Sequence, residues 1–199
     1  MRKLIPWTIL FFVVMLVWQR CSPIARPPGI LALGDPVQIL FAAVQPEIQK
    51  DGWTLKPLAT YHIEARVLSV RGYSSFEEDK LAPYDLALGW GAMSDTAVLE
   101  KLDISQSNRF YHWRYWGQKP PVPDGEIITH SANTHIIPAD KTVLNRLKSL
   151  RKGSVVSMSG FLVEATNPRV ARPWRSSLTR DDTGDGACEL MYVTLLIEK

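Results

Sequence analysis

The hydrophobic pattern of the chain opens with one long apolar run and continues with short alternating segments. Residues 4–18 are apolar apart from one proline and one threonine, and two cations precede them. As a helix, these 15 residues would rise about 22 Å, less than a hydrocarbon core of about 30 Å. Trp7 and Trp18 lie near the ends of the run, where amphipathic rings prefer the membrane interface. The pattern predicts an N-terminal membrane anchor over residues 1–21.

The residues that follow the run indicate whether the anchor is retained. Gln19, Arg20 and Cys21 replace the small residues that signal peptidases require, so we expect retention, with cleavage or lipidation as alternatives. A short basic N-terminus is typical of an export signal, which places residues 27–199 outside the cytoplasm. The reverse orientation stays open because cations flank both ends of the run. The lipid bilayer is the expected partner of residues 4–18.

Beyond the anchor, polar and apolar positions alternate as they do in strands. Residues 22–36 are rich in proline and glycine and predict an extended tether, whereas residues 37–199 form the predicted globular domain. In ATYHIEARVLSV every second residue from Tyr61 to Val67 is apolar, which predicts a half-buried strand. The Asp51-Gly52 pair predicts a type I′ hairpin turn. Further strands are expected in YDLALGWG, RFYHWRYW, IITHSANTHIIPA, SVVSMSGFLVEA, WRSSL and ELMYVTLLIE.

Two helices are expected between the strands. Ser94 can cap DTAVLEKL, and Asp140 can cap ADKTVLNRLKSLRKG, which Gly153 would end. The segment LRKGSVVSMSGFLVEA resembles the bent, glycine-containing strand of OB-folds and other small β-barrels. Many short strands with few helices favour a mainly β (α+β) fold. We expect a small curved sheet or OB-like barrel with two short helices, plus one N-terminal transmembrane helix.

Charge and cysteine content narrow the classes of function. The formal net charge is +3, but the four cations among residues 1–26 leave 19 cations and 20 anions in the remainder. A near-neutral domain argues against a broad nucleic-acid surface, so a cytoplasm-facing, OB-like nucleic-acid binder is the less favoured alternative. The two cysteines, Cys21 and Cys188, do not make a disulfide framework.

The acidic segment of residues 181–192 is the first candidate for chemistry. It begins like an EF-hand loop, but Tyr192 stands where the bidentate glutamate of such a loop is required. We therefore interpret the segment as a solvated connection between strands and expect no cofactor. A metal, if bound, would take its ligands from His130, His135 and either Asp181 or Asp182.

Cys188 and the aromatic strand are the other candidates. Cys188 and His135 would supply the nucleophile and base of a thiol-dependent enzyme, but the Ser/Thr-His-Gly-Cys signature of L,D-transpeptidases is absent and the cysteine opens an apolar strand. In RFYHWRYW large rings must occupy both strand faces, so the second face either packs under a neighbour or binds glycan or peptide. The candidate binding residues are Tyr111, Trp113, Tyr115 and Trp116.

Four long segments resemble one known family. The chain resembles a family of uncharacterised bacterial proteins that have an N-terminal membrane segment. The resemblance covers most of residues 60–193. It lies in the segments ARVLSVRGYSSFEEDKLAPYDLALGWGAMSD, LDISQSNRFYHWRY, HSANTHIIPA and WRSSLTRDDTGDGACELMYV. The resemblance implies a bacterial source and one compact domain, and it implies no activity or catalytic residue. The anchor would then cross the inner membrane once, with the domain in the periplasm.

The leading hypothesis is therefore a membrane-tethered, extracytoplasmic and non-enzymatic module that binds an envelope protein or glycan. It is favoured because no complete catalytic constellation accompanies the anchor in the sequence. The alternative from another class is a metal- or thiol-dependent envelope hydrolase that uses His130, His135, Cys188 and the acidic segment.

Overall fold

The computed structural model describes residues 22–184 and 186–199, together with Phe11 and Met15. None of the helices in this part of the chain is both long enough and apolar enough to cross a bilayer. The predicted anchor, residues 1–21, lies outside the described residues except at those two positions.

The described residues form a mainly β, α+β fold, as the sequence predicts, although four short α-helices occur where two are expected. The elements in chain order are β1 (Val37–Leu40), β2 (Ile48–Lys50), β3 (Trp53–Gly72), α1 (Glu77–Leu81), β4 (Tyr84–Gly89), α2 (Thr96–Leu99), β5 (Leu102–Ser107), β6 (Phe110–Tyr115), α3 (Asp124–Thr129), β7 (Ser131–Pro138), α4 (Lys141–Ser149), β8 (Val155–Thr166), β9 (Trp174–Arg175) and β10 (Glu189–Glu198).

Eight of these strands belong to one sheet. β3 pairs with β4, β4 with β7, β7 with β10 and β10 with β8, and β8 pairs in turn with β3. The β7–β10 pair is parallel and the other pairs of this circuit are antiparallel. β1 and β2 also pair with β3, and β9 pairs with β8. β5 and β6 form a separate two-stranded hairpin.

The alternating pattern of β3 determines which of its faces is buried. Tyr61, Ile63 and Val67 are at most 2 % exposed and belong to the main hydrophobic core, as predicted. The preceding turn is also confirmed, because Asp51 and Gly52 have φ angles of 51° and 82°, the two positive values that a type I′ turn requires.

Gly160 of β8 allows an unusually close approach of β10. The pairing register of β10 shifts between Val193 and Leu195, opposite this glycine. A Cβ atom on Gly160 would stand 1.9 Å from the carbonyl oxygen of Tyr192. The glycine predicted to permit a bent strand therefore also leaves room for the irregular backbone of its neighbour.

Helix α4 begins where the sequence predicts but ends earlier, at Ser149 rather than at Gly153. The Asp140 carboxylate accepts the backbone N–H of Val143 at 2.9 Å, and Val143 and Leu147 are buried in the core. The chain turns after the helix at Gly153, whose φ of 94° lies in the left-handed region. The cap and the apolar stripe thus fix this helix against the sheet.

The predicted cap of the other helix is wrong. Asp95, not Ser94, caps α2, because its carboxylate accepts the N–H of Ala97 at 2.8 Å. The Ser94 hydroxyl instead accepts the backbone N–H groups of Leu31 and Ala32 at 3.0 and 3.1 Å. Ser94 does not cap the helix because its hydroxyl bonds these two N–H groups, which would otherwise lack partners.

The strand predicted in IITHSANTHIIPA is shorter than expected. Its first residues end α3, and β7 begins only at Ser131. The short helix takes these residues because it buries Ile127 fully while Asp124 and Gly125 stay exposed.

Residues 22–36 contain no helix or strand, yet they are bonded to the domain. The Ile24 N–H donates to the carbonyl of Lys152 at 2.8 Å, and the Trp90 indole donates to Asp35 at 3.0 Å. Together with the bonds to Ser94, these contacts hold the segment on the domain. The bonds from Ile24, Leu31 and Ala32 satisfy backbone N–H groups that a proline-rich segment cannot pair in a sheet. The predicted tether therefore follows the surface of the domain.

Candidate functional site

A cavity of about 700 Å³ lies between the β3–β4 loop, residues 73–83, and the β8–β10 connection, residues 167–188. The turn of the β5–β6 hairpin and one residue of β7 complete its walls. We call it the large cavity. Its lining comprises Phe76, Glu78, Asp79, Arg109, Phe110, His135, Val170, Arg172, Pro173, Trp174, Arg175, Gly186 and Cys188.

Arg109 fixes the hairpin turn against the wall of the large cavity. Its guanidinium forms ion pairs with Asp79 of α1 and with Asp85 of β4, the latter at 2.7 Å. The same group lies over the rings of Tyr73 and Trp174, with 4.2 and 5.3 Å from Cζ to the ring centroids. Both carboxylates are buried, so the pairs operate where water screens them little.

Asp79 is held in its ionised form by its surroundings. Burial alone would raise the pKa of this carboxyl, but the N–H groups of Phe76 and Ser75 and the Arg109 guanidinium lower it, and the net pKa is below the ordinary value. The two N–H bonds are 2.9 and 2.6 Å long. A charged Asp79 therefore faces Arg109 at ordinary pH.

His135 of β7 lies directly opposite Asp85 of β4 in the strand pairing. Their side chains are 5 % and 0 % exposed, and Nδ1 stands 2.9 Å from Oδ1. The carboxylate is out of line with the N–H bond, so His135 Nδ1 has no hydrogen-bond partner among the described residues, and neither has Asp85 Oδ2. Buried polar atoms left unpaired at a cavity wall are typical of sites where a ligand completes the bonding.

Cys188 precedes β10 and lies beside the same imidazole. The amide of Asn133 donates to its sulfur at 3.5 Å, and the thiol donates to the carbonyl oxygen of Arg109 at 3.8 Å. Burial lowers the pKa of His135, but the Asp85 carboxylate and the Cys188 sulfur together raise it more, so the net pKa is above the ordinary value. A base held between a carboxylate and a thiol is the arrangement that activates a nucleophilic cysteine.

The imidazole of His135 is covered by Trp174, whose ring centroid lies 4.8 Å away at an interplanar angle of 53°. A second cavity, of about 190 Å³, adjoins the thiol and shares Cys188 and Phe110 with the large cavity. We call it the small cavity. The residues that line it are Phe110, Tyr111, Trp113, Ile128, Ser131, Ala132, Asn133, Asp182, Thr183, Gly184, Ala187 and Cys188.

The residues named as metal ligands from the sequence do not meet. His130 follows α3 and precedes β7, whereas His135 lies inside that strand. Asp182 accepts the hydroxyl of Ser177 at 2.6 Å, and Asp181 is exposed. Among the described residues, no three imidazole, thiol or carboxylate groups are placed so that they could share a metal ion.

The aromatic strand β6 places its rings on two different surfaces. Tyr111, Trp113 and Tyr115 are partly buried against a cluster that includes Leu68, Met93 and Ile127, whereas Trp116 is 69 % exposed. Two of the four predicted binding residues, Tyr111 and Trp113, line the small cavity, and Phe110 reaches both cavities.

Sequence reasoning named Cys188 and His135 but not Asp85 or Arg109. One signal for Asp85 was available, since it is the only charged residue in the apolar strand YDLALG. Arg109 offered no such signal, because the positive φ angles of Asn108 and Arg109, 50° and 68°, are visible only in the structure.

No family model matches the chain, and neither a curated protein nor a solved structure matches it. The resemblance to membrane-anchored bacterial proteins therefore stays a prediction. What the site does must be inferred from its own geometry.

Proposed function

We propose that this chain is a membrane-tethered module of the bacterial envelope that binds an extended peptide segment of a partner protein in the large cavity. The observation that carries the proposal is the cavity itself, with a volume of about 700 Å³ and walls that combine the apolar side chains of Phe76, Phe110, Val170, Pro173 and Trp174 with charged groups. Ligand sites commonly have volumes of about 300–1,000 Å³, apolar walls and a few fixed polar groups.

The strand pairing supports the finer description of the sheet as an OB-like barrel. Strands β3, β4, β7, β10 and β8 pair in a circuit that returns to β3, with β7 parallel to β10 and with α4 between β7 and β8. OB-folds bind ligands on their second and third strands and on the loops after the first and fourth. In this chain those loops are residues 73–83 and 167–188, which bound the large cavity.

The chemistry of the walls favours a peptide over a polyanion or a glycan. Phe76 and Phe110 are 71 % and 37 % exposed and, with Trp174, offer apolar faces to side chains of a partner. The walls carry charges of both signs, with two carboxylates and three guanidinium groups, whereas a nucleic-acid site concentrates positive charge. Such a surface suits a chain that alternates apolar and polar groups.

We also propose that residues 1–21 cross the inner membrane once and that the domain lies in the periplasm. The apolar run of residues 4–18 and the basic N-terminus support this location. The bonds between residues 22–36 and the domain support a position close to the membrane surface.

The test is selection of peptides against the full-length protein in lipid nanodiscs. A random dodecapeptide phage library is panned, and affinities of the selected peptides are measured by fluorescence anisotropy. Trp174→Ala and Phe110→Ala should each weaken binding about 10- to 30-fold, the effect of removing an aromatic hot spot of about 2 kcal/mol. Arg172→Glu, a surface change that spares the core, should also weaken it.

The matched control is Trp116→Ala, which removes an exposed indole outside both cavities. Circular dichroism confirms that each variant is folded before its affinity is compared. Failure to enrich any peptide, or binding that depends on Trp116 and not on Trp174, would exclude the large cavity as the peptide site.

A further inference from the structure

We infer that Cys188 is a catalytic nucleophile that takes the acyl group of the ligand held in the large cavity; this inference rests on the proposed binding function. Binding alone requires no thiol beside a base. The structure places a thiol where the two cavities meet, an imidazole in the wall of the large cavity, and a carboxylate 2.9 Å from that imidazole.

The three side chains come from three elements and stand in a functional order. Asp85 Oδ1 stands 2.9 Å from Nδ1 of His135, and His135 and Cys188 both line the large cavity. Because Nδ1 faces the carboxylate, Nε2 is the ring nitrogen available to remove the thiol proton. Both His135 Nδ1 and Asp85 Oδ2 lack hydrogen-bond partners among the described residues, so small adjustments on substrate binding can align them.

Asn133 places a polar amide beside the Cys188 sulfur, a contact that hydrophobic packing alone does not explain. Its Nδ2 donates to Cys188 Sγ at 3.5 Å and to the carbonyl of Arg109 at 2.9 Å, while its Oδ1 accepts Gln106 Nε2 at 2.7 Å. An N–H that points at sulfur stabilises negative charge on it. Asn133 is therefore a positioning residue, and its own orientation is fixed by Gln106.

The reaction needs only water besides the substrate. His135 takes the proton of Cys188 as the sulfur attacks the carbonyl carbon, and the carbonyl π electrons move to oxygen. When they return, the bond to the leaving group breaks, and that group departs with the proton from His135. Water, deprotonated by the same imidazole, then attacks the thioester, which releases a carboxylic acid and restores the thiol.

The two cavities indicate the substrate class. The large cavity, about 700 Å³, can hold several peptide residues on the acyl side, whereas the small cavity, about 190 Å³, has room for a compact leaving group. Cys188 and Phe110 line both, so the reacting carbonyl would lie between them. The geometry fits a peptide amide or ester with an apolar acyl portion and a small amine or alcohol.

The experiment uses full-length protein in detergent, with Cys21→Ser in every variant so that Cys188 is the only thiol. The probe is p-nitrophenyl hexanoate, and release of p-nitrophenolate is followed together with intact mass. We expect a burst of about one equivalent and a hexanoyl adduct on Cys188. His135→Gln should slow acylation by at least about 10²-fold, as loss of a general base does, whereas His130→Gln should leave it unchanged.

The same variants separate this inference from the binding proposal. Cys188→Ala should lose the adduct, and peptide binding is measured in the Cys21→Ser protein that keeps Cys188. Three results would each show that Cys188 is not the nucleophile without contradicting the binding site. They are peptide binding without any adduct, an adduct on another residue, and acylation that His135→Gln does not slow. If the expected adduct forms but no peptide binds, Cys188 remains the nucleophile and the proposal that the large cavity binds a peptide is rejected.

Discussion

Arg109 is the residue on which the wall of the large cavity depends. It holds a left-handed conformation, φ 68°, which costs about 1–2 kcal/mol for a residue with a side chain. That cost is borne because the guanidinium pairs with two buried carboxylates from different elements. The strained backbone at the hairpin turn thus places the Arg109 guanidinium where the buried carboxylates of α1 and β4 both need a cation.

Replacing Arg109 should therefore destabilise the fold strongly. Arg109→Met leaves Asp79 and Asp85 buried without their cation, and we expect a loss of about 3–5 kcal/mol in the free energy of unfolding. Urea denaturation followed by circular dichroism measures it. Arg114→Met is the control from the same hairpin, where the pair with Asp103 has side chains 78 % and 34 % exposed. That change should cost at most about 1 kcal/mol, and equal losses in the two variants would refute the argument.

At the same scale, the sequence identifies reactive residue types but not their partners. Cys188 and His135 stand out because thiols and imidazoles are rare in the chain. Asp85 and Arg109 are 24 positions apart, and their ion pair depends on how a hairpin folds over a strand. No local pattern encodes that contact, so both were missed.

Long strands are the elements that the sequence predicts best. β3, β4, β8 and β10 carry enough apolar positions for their period to be visible, and all four are confirmed. Two elements, α1 and β5, were missed because their sequences, EEDKL and LDISQS, hold one and two apolar residues, too few to establish a period. Their placement depends on packing against the sheet instead.

Gly160 provides a test at the level of strand pairing. Gly160→Ala would place a methyl group against the backbone of Tyr192, so we expect a destabilisation of about 3 kcal/mol, the upper end of overpacking costs. Thermal unfolding monitored by circular dichroism measures the change. Gly125→Ala is the matched substitution in α3, where nothing lies within 4 Å of the added atom. It should raise stability by up to about 1 kcal/mol, and a neutral Gly160→Ala would show that β8 and β10 are not in close contact there.

In the whole molecule, the circuit of paired strands determines which reactive side chains lie close together. Residues 73–83 and 167–188 are far apart in sequence, but the closed pairing of β3 and β8 brings them to one cavity. Composition predicted a curved, mainly β domain without predicting this juxtaposition, because the strand order cannot be read from the alternation of single strands. The acidic segment, which looks chemical in the sequence, serves as part of that connection.

The same arrangement links the protonation of His135 to folding. The groups that face its imidazole are Asp85 from β4, Cys188 from the start of β10, and Trp174 from β9, with Arg109 on the far side of the carboxylate. Because the pKa of His135 is raised in the fold, the proton binds the folded chain more tightly than the unfolded one. Its stabilisation is complete below the ordinary pKa of about 6.5 and is lost as pH rises through the raised pKa.

The most direct test of the coupled site is titration of the His135 ring nitrogens by NMR, in full-length protein labelled with ¹⁵N-histidine. We expect a midpoint above about 6.5 that falls in both Asp85→Asn and Cys188→Ala and stays unchanged in Asp103→Asn, a carboxylate of the exposed hairpin pair. A midpoint at or below that value, equal in all four proteins, would contradict it, since burial alone would then govern the imidazole.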